Sequence, residues 1–274
     1  MHSNIFIRSV NAFFINDTFI NNKLTAREGS ELDVTRLERI FSRLGFKVVI
    51  KRNRSVQDML ETCKALANLD KLLSSHSAFF MTILSHGGSN DVVYGSCGNS
   101  IALDCLIEPF RGMNCKALAG KPKLVFVQAC RGKLFDQGVS AKLIEGKNEN
   151  KVQKDYVDEN GNALDGSLLN FRNNKHENNC TNIKIPHCAD ILIAFSCANG
   201  YYSWRNKCEG SWFIQSFCDE LENSCEYDDV ARILTKTVAD MAFHKESQSN
   251  EQCMNRTKQI PCIVSTLTKC LFLR

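Results

Sequence analysis

The chain has 274 residues, 43% of them hydrophobic, with 34 basic and 30 acidic side chains and a net charge of +4. That is enough apolar material for one large or two small domains, and disorder is not the default expectation. With so small a net charge and no block of Lys and Arg, neither nucleic acid nor an acidic membrane surface is expected as a partner.

The first strand is predicted over residues 11–15, in Ala12-Phe13-Phe14-Ile15. Ser30, followed by Asp33, reads as the cap of a helix bearing Val34, Leu37, Ile40, Phe41 and Leu44 at helical spacing, with Gly45 to end it. A second strand follows from Phe46 to Ile50, and Ser55 caps a second helix with Val56, Met59, Leu60, Cys63 and Leu66 on one face. The apolar run from Ala78 to Leu84 is a third strand, ending at Ser85-His86-Gly87-Gly88. A short helix is expected from Leu103 to Phe110, then a strand from Lys123 to Val127 that leads into Gln128-Ala129-Cys130-Arg131-Gly132. Continuous apolar strands separated by amphipathic helices predict an α/β fold, a mostly parallel sheet with helices on both faces.

From about Lys133 to Asn182 the pattern stops, and Asn, Lys, Glu, Asp and Gly dominate. Such a stretch inside a compact domain is an exposed linker open to proteases. A buried strand resumes at Ile191 to Phe195. Helices are expected at about residues 211–221 and 228–242, then a polar loop from His244 to Lys258 and a last strand from Ile260 to Leu267.

Fourteen cysteines suggest zinc or disulfides, yet no pair has Cys-x-x-Cys spacing. The N-terminus lacks a cationic stretch followed by an apolar one, and no apolar run approaches the roughly 20 residues that span a bilayer. The expected compartment is the reducing cytoplasm, with mostly free, buried thiols and neither metal nor cofactor.

Two strands end in reactive side chains, His86 and Cys130. Open parallel sheets place their chemistry at strand carboxyl ends, so the two should share one edge. A thiol becomes a strong nucleophile as thiolate, and a nearby imidazole can generate it and later protonate a leaving amine. Gly87, without a side chain, lets backbone N–H groups approach a substrate carbonyl and form an oxyanion hole with the N–H of Cys130.

The pentapeptide around Cys130, with Ser85-His86-Gly87, resembles the signature of the caspases, and the likeness extends over nearly the whole chain. Arg27, in Leu24-Thr25-Ala26-Arg27-Glu28-Gly29-Ser30, matches the position of a pocket arginine in that family. Tyr201-Tyr202-Ser203-Trp204-Arg205-Asn206 and Gly210-Ser211-Trp212-Phe213 are similar to the substrate groove of its executioner members. Gln259-Ile260-Pro261-Cys262-Ile263-Val264-Ser265 resembles the strand at which they dimerise.

The resemblance implies a caspase-like three-layer sandwich and an aspartate-specific cysteine endopeptidase. Cys130 is then the nucleophile, His86 the acid/base, Gly87 an oxyanion donor, and the Thr25 carbonyl orients the imidazole. Arg27, Gln128 and Arg205 line the primary pocket, with Ser203 in the same strand. Tyr202 and Trp204 form an apolar second pocket, and Asn206 and Trp212 shape the one for the fourth residue before the cut. Two guanidiniums converging in a partly desolvated slot are costly until a carboxylate joins them, which favours aspartate over asparagine.

The linker implies a zymogen: a large region, 1–165, and a small one, 166–274, separated by a cut at Asp158 or Asp165. The implied partners are proteins with exposed Asp-containing loops, a second copy of the chain, an upstream activating caspase and inhibitor proteins. Little sequence precedes the first strand, so no recruitment domain is expected; that favours an executioner in apoptosis over an initiator, or else a shortened chain. The loop from His244 to Lys258 departs from the executioner pattern, with Met254 where an aromatic usually closes the second pocket. The other reading is a catalytically silent homologue that regulates an active partner; intact His86 and Cys130 weigh against it.

Overall fold

The computed structural model describes residues 9–19, 24–141 and 183–273, with backbone alone for 9–13. The chain divides into two units, residues 1–138 with 185–274, and residues 139–184. Every element below belongs to the first; of the second, only 139–141 and 183–184 are among the described residues. Asp158 and Asp165 lie outside them.

The chain order is β1 (Ser9–Ile15), α1 (Ser30–Arg43), β2 (Phe46–Arg52), α2 (Val56–Ala67), α3 (Asp70–Ser74) and β3 (Ala78–Leu84). It continues with β4 (Gly87–Gly88), β5 (Val92–Tyr94), β6 (Ser100–Ala102), α4 (Leu103–Ile107), β7 (Lys123–Gln128) and β8 (Gly132–Leu134). Then come β9 (Ile191–Phe195), β10 (Gly200–Tyr201), β11 (Arg205–Asn206), β12 (Gly210–Ser211), α5 (Trp212–Ser224), α6 (Val230–His244) and β13 (Cys262–Ser265).

Six strands make the central sheet, in the order β13-β9-β7-β3-β1-β2. All pair in parallel except β13, which runs antiparallel to β9. Side chains alternate across the sheet, so each strand feeds two cores. Phe80, Leu84, Leu124 and Phe126 pack with α1, α5 and α6 on one face. Phe79, Met81, Ile83, Val125 and Val127 pack with α2, α3 and α4 on the other. Each such side chain contributes about 2 kcal/mol of burial. The expected three-layer α/β sandwich is therefore present.

Some local expectations hold. Ser55 and Asp58 close a capping box on α2, each side chain accepting the other's backbone N–H. The strand and helix runs of the first half lie within a few residues of the predicted bounds.

Others need correction. Ser30 does not cap α1; Gly29 does, at φ 86°, with no side-chain bond. Asp33 is fully buried and accepts from Ser211 N at 2.8 Å, Ser211 Oγ at 2.5 Å and Gln215 Nε2 at 2.8 Å. It therefore clamps α1 to β12 and α5. The unpatterned segment does not begin at Lys133, because β8 pairs with β10 and Asp136 bridges to Lys258. The last strand is shorter than Ile260 to Leu267, covering Cys262–Ser265. The small antiparallel sheet β4-β5-β6 carries no side-chain periodicity long enough to read. Among the thirteen described free cysteines only Cys63, Cys115, Cys197 and Cys218 are buried, so most are not core residues. No described helix is long and apolar enough to cross a membrane.

Asp33→Ala should destabilise the fold by about 3 kcal/mol, because it strands two buried donors of Ser211 and a partly buried one of Gln215 and removes a carboxylate from a region of buried positive charge. Urea unfolding checks this; an unchanged midpoint would contradict the clamp.

Candidate active site

β3 and β7 are in register from Phe79↔Lys123 to Leu84↔Gln128. The ladder runs one step further, Ser85 N donating to Gln128 O at 3.2 Å. His86 and Cys130 thus leave neighbouring strands at equivalent positions. Gly87 shows how tight the approach is: a Cβ there would collide with the Cys130 carbonyl and lie 2.8 Å from Ala129 Cβ. The loop after His86 is pinned by Tyr94 N donating to His86 O at 3.0 Å and by Ser85 Oγ donating to Tyr94 O at 2.6 Å. Bonded and non-bonded pairs alternate in antiparallel ladders. With His86 and Tyr94 bonded, Gly87↔Val93 is the non-bonded pair, so the Gly87 N–H is not spent on β5.

His86 Nε2 lies 2.8 Å from the Thr25 carbonyl. A carbonyl only accepts, so Nε2 carries the proton and Nδ1 is left as the acceptor. Phe19 packs against the imidazole, ring centroids 5.0 Å apart. Burial holds the imidazole pKa below its ordinary value; the Thr25 bond opposes this, and Arg27 and Arg205 reinforce it. Cys130 is half-buried, its Sγ accepting from Ser203 N at 3.4 Å. Burial pushes its thiol up, with Ser203 N–H, Arg27 and Arg205 pulling the other way. The peptide-free pair therefore rests as thiol and neutral imidazole.

Every member of the pentapeptide has a physical task. Gln128 is buried and donates from Nε2 to Ser203 Oγ at 2.8 Å. Ala129 fits a closed space where its N–H reaches Ser196 Oγ at 3.3 Å. Arg131 pairs with Asp91 at 2.7 Å and stacks over Phe195 at 3.8 Å. At Gly132 any Cβ would collide with the backbone of Gly200, so β8 and β10 can pair only if this residue is glycine.

Beside Cys130 the positive charge is dense. Arg27 is 2% exposed, and burial, helped by Arg205, lowers its pKa to about 9 against the pull of Asp33. Burial also lowers Arg205, whose Nε donates to the Glu28 carbonyl at 2.8 Å. Arg27 Nη1 and Gln128 Oε1 are buried with no hydrogen-bond partner among the described residues. Their environment suits an anion that accepts from the guanidiniums.

The segment from Tyr202 to Arg205 alternates. Tyr202 and Trp204 join an aromatic group in which Trp204 stacks on Trp212 at 5.8 Å. Asn206 spends its side-chain oxygen on its own loop, accepting from Cys208 N at 2.7 Å and Glu209 N at 3.2 Å.

Three residues here were not singled out as site residues from sequence. Asp33 passes for a helix-capping acid. Gln259, 2% exposed, accepts from Trp204 N at 2.6 Å and donates to Ser196 O at 2.6 Å and Ser203 Oγ at 3.3 Å. It fixes the segment that bonds Cys130. Phe135 lies against Tyr202, ring centroids 4.5 Å apart. The available signal was an isolated polar or aromatic residue beside a motif. No cluster of His, Cys, Asp and Glu suited to a metal occurs among the described residues.

The caspase-domain family model matches residues 11–272. Caspase-7 of Gallus gallus is 37% identical over 260 residues, spanning 92% of this chain and 75% of that protein. Caspase-3 of Mus musculus is 36% identical over 260 residues, spanning 92% and 81% respectively. The crystal structure of caspase-1 from Spodoptera frugiperda matches with a TM-score of 0.79 at 29% identity, covering 97% of this chain and 92% of its own.

The resting protonation state predicts how Cys130 reacts with iodoacetamide in the peptide-free protein. The alkylation rate should keep climbing from pH 7 past the ordinary thiol pKa, because only the thiolate attacks. A rate already level below pH 7 would indicate a preformed thiolate–imidazolium pair and contradict the burial argument. The acid limb of peptide cleavage should lie below the usual imidazole pKa, since the folded site favours neutral His86.

Proposed function

The chain belongs to the caspase family of aspartate-specific cysteine endopeptidases, and from that premise we propose that it is an executioner-type caspase whose catalytic pair is Cys130 and His86. The observation that carries this reading is the buried, unpartnered face of Arg27 beside Arg205, Gln128 and the Cys130 thiol. A substrate aspartate supplies the anion that this slot lacks. Asparagine brings no charge and offers N–H groups where acceptors are wanted; sites built around such bonds reject poor analogues by about 10⁴-fold.

In this mechanism the Thr25 carbonyl holds Nε2–H, so His86 takes the Cys130 proton on Nδ1. The thiolate attacks the carbonyl carbon of the aspartate, and the N–H groups of Gly87 and Cys130 receive the developing oxyanion. The Nδ1 proton then passes to the departing amine as the C–N bond breaks. Water hydrolyses the remaining thioester and restores the thiol. Ser203 holds the nucleophile, Tyr202 and Trp204 meet the residue before the aspartate, and Asn206 and Trp212 bound the groove further out.

The chain is made as a zymogen. A cut after Asp165 separates the large region, 1–165, which holds His86 and Cys130, from the small one, 166–274, which holds Arg205; a cut after Asp158 parts the same residues seven positions earlier. The strand around Cys262–Ser265 is the free antiparallel edge of the sheet, with Val264 49% exposed, which supports dimerisation there with a second copy. Its place is the cytoplasm, its substrates are proteins with exposed Asp-containing loops, an upstream caspase activates it, and inhibitor proteins restrain it in apoptosis.

A peptide library cleaved by purified protein tests this reading. Cuts should fall after aspartate and vanish in Cys130→Ala, which should still fold; retained cleavage in that variant would remove Cys130 from its role. Arg27→Glu and Arg205→Glu should each cut the Asp-over-Asn preference in kcat/KM by at least about 100-fold, through lost charge-assisted bonds. An unchanged preference would remove the arginines from the pocket.

A further inference from the structure

We propose that Asn53, which follows a strand carrying no member of the site, is a positioning residue that holds the segment Asn16-Asp17-Thr18-Phe19 against both His86 and Arg27. The inference rests on the catalytic reading above and adds to it a residue outside the groove.

β2, β1 and β3 are neighbours and parallel, so their carboxyl ends open on one edge of the sheet. β3 leads to His86, β1 to the segment 16–19, and β2 to Asn53 and Arg54. The backbone ladders run one step past the strands. Asn16 N donates to Leu84 O at 2.9 Å, and Asn53 N to Ile15 O at 2.7 Å.

Beyond that step two asparagines tie the ends together in opposite directions. Asn53 Oδ1 accepts from Asp17 N and from Thr18 N, each at 3.1 Å, and its Nδ2 donates to Thr18 Oγ1 at 2.8 Å. Asn16, 1% exposed, accepts from Arg54 N at 2.8 Å and donates from Nδ2 to Tyr94 O at 2.9 Å. Asn53 adopts left-handed backbone to do this, at φ 50°, a conformation that Asn tolerates better than most side chains. Ser96 Oγ donates to its carbonyl at 3.1 Å and steadies that turn.

The segment held in this way meets the site at two points. The Asp17 carbonyl accepts from Arg27 N at 2.8 Å, which fixes the backbone of the pocket arginine. Phe19 packs its ring against the imidazole of His86, while the Thr25 carbonyl holds the imidazole at Nε2. One short stretch therefore supports the acid/base group and the aspartate slot together. The two bonds that Asn53 accepts lie at the surface, so without them the Asp17 and Thr18 amides turn to water. Their loss costs position more than stability.

Asn53→Gly is the direct test, because glycine keeps the positive φ and removes only the amide. The full-length activated variant is assayed with two peptides that differ only in Asp or Asn before the cut, and its thermal unfolding is followed alongside. For the Asp peptide kcat should fall at least about tenfold, since a misplacement of about 1 Å at a reacting group costs up to about 100-fold. The Asp-over-Asn ratio in kcat/KM should fall at least about fivefold as Arg27 loses its anchor. The unfolding temperature should hardly move. Asn53→Asp keeps an oxygen to accept both N–H groups and should restore most of both losses. Unchanged kcat and ratio in the glycine variant overturn the proposal. So does a loss that Asn53→Asp fails to restore, or a lower rate that merely follows the fraction unfolded with the ratio intact. A wild-type enzyme with no requirement for aspartate overturns the catalytic reading itself, and this inference with it.

Discussion

The parallel pairing of β3 with β7 is the constraint from which the site follows. His86 and Cys130 are 44 residues apart in sequence, and so are the paired residues Leu84 and Gln128. One fixed register therefore delivers imidazole and thiol to adjacent positions without any long loop having to find them. The register is itself fixed by burial: every residue of both strands is buried, and a slip of one would exchange the two faces. Phe80 and Phe126 would then leave the core with α1 and α5, and Phe79 and Val127 the core with α2 and α4. The geometry of the proposed catalytic pair is in this sense a by-product of two hydrophobic cores that admit only one alignment.

Around that pair the fold holds charge that burial disfavours. Arg27 is buried deeply enough to shift far from its ordinary pKa, with Arg205 repelling it and part of its guanidinium unpaired. Asp33 offsets some of this, and is itself clamped by three donors from Ser211 and Gln215. A fold selected only for stability would replace such a group by a hydrophobic one. Retaining it leaves an electrostatic demand that an acidic side chain satisfies and a neutral one does not. Burial is the main reason His86 stays neutral, and the same two arginines add to it.

Much of this was legible in the residues. The apolar runs at 78–84 and 123–127 declared the central strands, and their ends the nearness of His86 and Cys130. The cap at Ser55 was readable because the N–H it accepts from is three residues away. Asp33 was misread for the opposite reason: its donors lie 178 and 182 residues on, and an acid near a helix start looks the same whether it caps or clamps. The ladder from Gly132 to Leu134 is held by backbone bonds to Gly200 and Tyr201, to which side-chain pattern is blind. Phe135 was lost with it, an aromatic hidden in a polar stretch. Gln259 was read only as the start of an edge strand, because nothing local shows that its amide reaches back to Ser196 and Trp204.

The central claim is that one thiol among fourteen is a nucleophile addressed through an aspartate slot. The most direct measurement is mass spectrometry of the protein after treatment with a short peptide ending in aspartate and carrying a thiol-reactive ketone. The account predicts a single adduct on Cys130, lost when asparagine replaces the aspartate. Labelling of a different cysteine, or equal labelling by both peptides, would contradict it.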